Sequence, residues 1–122
     1  MAKLPGTLVP TDVVGSVSSR GLLLHLSTTD MTLLHQRESR PGIFDRIKIY
    51  AINIDTSDRD VSIFWGATED PISKISMRLP AYAGPCLIVD DWPIERGLPV
   101  YAKAATAATI NIVTLINPAT FI

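Results

Sequence analysis

The sequence has little with which to do chemistry. Its one cysteine, Cys86, excludes an intrachain disulfide and a thiolate zinc site. Only two histidines are present, His25 and His35, and both fall inside apolar runs, where a hydrogen-bonded structural imidazole is the usual occupant. Nucleophilic catalysis needs a base within reach of an activated hydroxyl or thiol. No Gly-x-Ser-x-Gly elbow surrounds any serine, and no glycine-rich phosphate cradle occurs. The expectation is a protein that is not an enzyme, with no catalytic, cofactor-binding or metal-ligating residues.

Charge is also scarce. Charged residues make up 19% of the chain, against the usual quarter. The net charge is −1 and the pI near 6.0, with no run of Lys or Arg, which argues against a nucleic-acid partner. Arg37, Arg40, Arg46 and Lys48 are the nearest thing to a basic patch and read as a solvated rim. Apolar runs are strand-sized, far short of the roughly 20 residues of a membrane helix. The opening Met1–Gly6 lacks a signal peptide's apolar core. These absences, with the lone thiol, point to a soluble protein made in a reducing cytoplasm, with no membrane partner.

What the chain does have is apolar material: hydrophobic residues are 47% of it, and the mean hydropathy is +0.26. One domain of this size buries roughly two-thirds of its unfolded surface. Low charge with high apolar content leaves surface to hide in subunit contacts.

Residues 1–20 carry Pro5, Gly6, Pro10, Gly15 and several serines, which break helical geometry, so they read as an extended arm or irregular strand. Leu4, Leu8 and Val9 could tie that arm down on a neighbouring subunit. Two apolar runs follow, Gly21–Leu26 and Met31–His35, split by Ser27-Thr28-Thr29-Asp30, and could form a hairpin. A helix through 30–38 with Asp30 as its N-cap is an equal reading.

From Ile43 the period becomes two. Ile47, Ile49 and Ala51 alternate with Arg46, Lys48 and Tyr50, and Val61, Ile63 and Trp65 alternate after the turn Asp55–Asp58. Together they predict a hairpin. Further strands are expected over Ile72–Leu79, over Cys86–Asp90 stopping near Trp92-Pro93, over Val100–Ala104, and over Thr109–Ile116 ending at Asn117-Pro118. Short strands with turn chemistry between them make a sandwich or barrel. The fold class expected is all-β, a single antiparallel β-sandwich, jelly-roll-like or Ig-like, with an arm over 1–20 and the sandwich over 21–122.

Three groups of residues invite a site. Asp55, Asp58 and Asp60 suggest calcium, but lack the Gly and distal Glu of an EF-hand loop and read as turn formers. Asp90-Asp91 would point to opposite faces of a strand and so not act on one atom. Trp65, Trp92, Tyr50, Tyr82 and Tyr101 could build an aromatic platform for a sugar. Trp65 fits a core or interface position, while Trp92, beside Pro93, suits a contact surface.

From Ile47 to Ile116 the order of features is suggestive. Ala51-Ile52-Asn53 leads to Ser57–Ile63 and Trp65-Gly66, then Leu79-Pro80-Ala81 and Gly84-Pro85. Gly97, Val100-Tyr101-Ala102, an Ala-rich stretch and Ile110-Asn111-Ile112 close it. This arrangement resembles small β-sandwich virion proteins of tailed bacteriophages and gene transfer agents. The resemblance covers about 70 residues at the C-terminal side. It implies a structural virion protein, foremost a capsid decoration or cement protein that binds and stabilises the major capsid protein lattice. Its expected partners are the major capsid protein or other virion proteins, with homo-oligomerisation, a trimer favoured. The alternative it implies is a head- or tail-fibre base, or a receptor- or glycan-binding module with Trp92 and Tyr82 as platform. Residues expected at subunit or capsid contacts are Leu4, Leu8, Val9, Trp92, Phe121 and Ile122.

Overall fold

The computed structural model describes residues 13–14, 22–37, 43–66, 71–95 and 97–120. It is all-β. The strands are β1 (Val13–Val14), β2 (Leu22–Leu26), β3 (Thr32–Arg37), β4 (Ile43–Asn53) and β5 (Arg59–Trp65). After a 3₁₀ turn at Pro71–Ser73 come β6 (Lys74–Leu79), β7 (Cys86–Glu95), β8 (Val100–Ala104) and β9 (Ile110–Thr120). They form two antiparallel sheets, one ordered β1-β3-β8-β5-β6 and the other β2-β9-β4-β7.

That order comes from one long hairpin rolled up on itself. β5 pairs with β6 at its tip, β4 with β7, β3 with β8 and β2 with β9. Rolling then brings β4 against β9 and β5 against β8. This is the jelly-roll winding, made by the eight strands β2 to β9 in two facing sheets, with the two-residue β1 added beside β3. It decides between the two sandwich types expected from the sequence.

The inner faces follow the alternation. Ile47, Ile49 and Ala51 of β4, Val61 and Ile63 of β5, and Ile110, Ile112 and Ile116 of β9 are buried in one cluster. β8 contributes Val100, Ala102 and Ala104 to it. The small Ala side chains of a central strand leave room for the branched residues around them. Each fully buried Ile or Leu contributes on the order of 1.5–3 kcal/mol by leaving water.

Several local expectations change. Thr32–Arg37 is strand and not helix, with a bulge between Leu33 and His35. The two predicted hairpins do not form. β2 and β3 lie in opposite sheets, as do β4 and β5. β4 is hydrogen-bonded on one side to β9 and on the other to β7, so neither of its edges is open to β5. Residues 54–58 therefore carry the chain from one sheet to the other.

Two prolines do not end their strands. β7 runs through Trp92 and Pro93 to Glu95, because among the described residues it is an edge strand with one backbone side unpartnered. β9 runs through Pro118 to Thr120, beyond the last residue of β2 that pairs with it. The Ala-rich stretch is strand, turn and strand as read, with Ala108 at φ 61° in the turn.

Candidate docking surface and buried ion cluster

The outward face of the four-stranded sheet carries apolar side chains where a solvated sheet would carry polar ones. Register aligns Leu23 with Val113, Val113 with Tyr50, and Tyr50 with Leu87. Paired residues share a face, so these four form one apolar row across all four strands. Leu23 is 61% exposed, Leu87 is exposed, and Val113 and Tyr50 are half-buried.

Polar groups border the row. On one side His25 Nδ1 and Asn111 Oδ1 are 2.6 Å apart. On the other, Lys48 Nζ lies 3.5 Å from Asp90 and Arg46 Nη2 lies 3.1 Å from Asp91. Arg46, Lys48, Asp91, Leu115 and Asn117 line a shallow cleft of about 320 Å³ there. An apolar centre with a polar rim is the anatomy of a protein contact patch.

Asp90 and Asp91 do not part to opposite faces. β7 shifts register against β4 between Ile47 and Ile49, and Asp91 has φ 60°. This bulge gives both carboxylates cation partners that stand on the outward side of β4. Both are ion-paired at the surface, worth little each.

Trp92 follows the bulge, opposite Ile47, and is 45% exposed. Its ring centroid is 6.2 Å from that of Trp65 on the facing sheet, tilted by 33°. Tyr82, 68% exposed, belongs to the other end, where its N–H donates to the Asp55 carbonyl. The extended chain from Cys86 to Trp92 alone spans about 20 Å. Trp92 and Tyr82 therefore do not share a platform; Trp65 is the neighbour of Trp92. Leu4, Leu8, Val9, Phe121 and Ile122 lie outside the described residues.

A second constellation lies between the sheets. His35 and Arg37 project from β3, and Asp45 from β4, all buried. Asp45 Oδ2 is 2.9 Å from His35 Nε2, and its Oδ1 accepts from Arg37 Nη1 at 2.8 Å. Burial by itself pushes the Asp45 carboxyl up. The hydrogen bonds and charges of His35 and Arg37 outweigh it and hold the group below the ordinary carboxylate range. The ionised Asp45 fixes the tautomer, so Nε2 of His35 carries the hydrogen. Arg37 is thus an interior ion-pair member and not part of a basic surface patch.

The acids of the 54–60 turn go to separate partners. Asp55 accepts from the Thr56 N–H and from Arg59, which hold its carboxyl low. Asp58 accepts from the Ala81 N–H, and Asp60 from Arg78. Asn53 ties this end together. Its Nδ2 lies 2.8 to 3.1 Å from the carbonyls of Ser57, Leu79 and Pro80, and its Oδ1 accepts from the Asp55 N–H at 2.9 Å.

No family model matches the chain, and neither the curated proteins nor the solved structures compared with it give a significant match. Among the described residues, no helix is long and apolar enough to cross a membrane.

Proposed function

We propose that this chain is a structural virion protein of a tailed phage that decorates or cements the capsid. On this reading it docks on the major capsid protein lattice through the outward face of its four-stranded sheet. The observation that carries the reading is the Leu23–Val113–Tyr50–Leu87 row with its polar rim. Antiparallel sheets usually turn polar residues to water, so an apolar row on the outward face supports a contact there. Jelly rolls recur in capsid and in lectin domains, so the winding suits the reading without selecting it.

The physics of cementing is mass action. A protein that binds the expanded shell and not its dissociated subunits stabilises the shell by RT ln(1 + [L]/Kd) per site. Repetition over many seams makes a modest single contact sufficient. No chemical step is required, and the buried imidazole of His35 is engaged with Asp45 as a structural bridge.

The Trp65–Trp92 pair supports a second reading, a receptor- or glycan-binding module of a fibre base. A half-exposed indole backed by another ring is a surface on which a sugar ring can stack.

Gradient sedimentation with expanded tailed-phage heads separates the two. Co-sedimentation at many copies per particle, reduced by Val113→Asp, is expected for the cement reading. Failure to bind any shell, with glycan or cell binding that Trp92→Ala abolishes, overturns it in favour of the second.

A further inference from the structure

A sheet edge exposes unpaired backbone N–H and C=O groups, and lone β proteins guard it. Among the described residues, three of the four edge strands carry such a device. β1 is two residues long. β6 presents Lys74 and Arg78 outward. β7 carries two register shifts, Pro93, and the acids Asp90 and Asp91. β2 has none of these devices. It reads Leu22-Leu23-Leu24-His25-Leu26, holds unbroken register with β9 over all five residues, and has β9 as its one sheet neighbour among the described residues.

We propose that β2 is the contact of a two-fold homodimer, pairing antiparallel with β2 of a second copy. The two four-stranded sheets then join into one of eight strands. A second copy suits this edge for two reasons. With the axis at Leu24, Leu24 meets Leu24 of the copy and the outward Leu23 faces the outward His25, so like faces meet and both cores stay aligned. No like charges oppose each other at neutral pH. The same operation on β6, centred at Ser76, would set Lys74 against Arg78 of the copy, which repels.

The pairing does not depend on the particle reading. It is a dimer contact and not the trimer expected from the sequence. A five-residue edge falls in the small interface class, below roughly 1,200 Å². Contacts of that class are typically transient, so the dimer is expected to dissociate on dilution.

The test is sedimentation velocity from low micromolar to near-millimolar protein, comparing wild type with the double variant L23E/H25E and with S76E as the control on β6. Leu23, His25 and Ser76 are all exposed, so the variants keep the fold, checked by near-ultraviolet circular dichroism. Wild type and S76E are expected to dimerise, and the double variant to weaken the dimer at least tenfold. Independently, amide exchange over 22–26 in the wild type should slow as concentration rises, while that over 74–79 should not. A monomer at every concentration, a trimer, or a dimer indifferent to L23E/H25E with unchanged exchange at 22–26 overturns the proposal. Shell binding by a protein that stays monomeric would overturn the dimer and leave the cement reading standing.

Discussion

His35 and Asp45 belong to opposite sheets and meet across the sandwich interior at 2.9 Å, with Arg37 closing on the other carboxylate oxygen at 2.8 Å. Strands β3 and β4 are consecutive in the chain but share no hydrogen-bonded edge, so this ion cluster is a direct tie between them. Removing one member of a buried pair strands the others, at a cost of about 3–5 kcal/mol. Asp45→Asn is expected to lower stability by that amount in urea unfolding, without changing the unfolding slope.

The same carboxylate sets an acid limit. Its folded pKa lies below the unfolded value, so its contribution is complete above the unfolded pKa, near 4. That contribution is lost as pH falls from there through the lowered folded value. Wild-type stability should drop over this window, and Asp45→Asn should flatten the drop. Denaturant midpoints from pH 6 down to pH 2 give the measurement.

How far this was legible in the sequence can be seen at β4. The alternation of Ile47, Ile49 and Ala51 marks the inner face, and carried back two residues it lands on Asp45. A carboxylate on a core face demands a partner, so one half of the cluster was readable. His35 and Arg37 were not, because the bulge at Leu34 shifts the parity of β3. Most strands also came through, although Thr32–Arg37 read equally as helix and Val13–Val14 fell in the arm, but pairing did not. Local turn chemistry at 27–30 and 55–58 looks the same whether a chain reverses within a sheet or crosses to the other. The choice rests on β9, distant in sequence, taking the edge of β4. Likewise the apolar row of Leu23, Val113, Tyr50 and Leu87 exists only once that register is known.

Asn53 provides a test of the crossover itself. Its side chain bridges the 54–58 segment to Leu79 and Pro80, and it is buried. Asn53→Ala leaves those carbonyls and the Asp55 N–H without this partner, costing about 1–3 kcal/mol. Amide exchange should quicken at Asp55 and Tyr82 first, since both bond within this junction.

Trp92→Ala removes a ring that lies against Trp65 while about half of it faces solvent. The aromatic contact is worth roughly 0.5–1.5 kcal/mol beyond buried area. A modest loss of stability and a red shift in Trp65 fluorescence are expected, the latter because its ring meets water. Calorimetry and emission spectra on the purified variant check both.

The outward row makes the sharpest separation between packing and docking. Val113 stands at its centre, on the middle strand β9, with Leu23 and Tyr50 as its cross-strand neighbours. Val113→Asp places a charge on the outer face and leaves the inner cluster of Ile110, Ile112 and Ile116 intact. Substitutions away from the core usually change stability by about 0.5 kcal/mol or less, and a half-buried site costs somewhat more. A docking contact behaves otherwise, because its desolvated centre tolerates no unpaired charge. Loss of tenfold or more in shell affinity, equivalent to about 1.4 kcal/mol, is expected with a melting temperature close to wild type. Equal losses in both would assign the row to monomer packing. Unchanged shell binding would move the contact to another face.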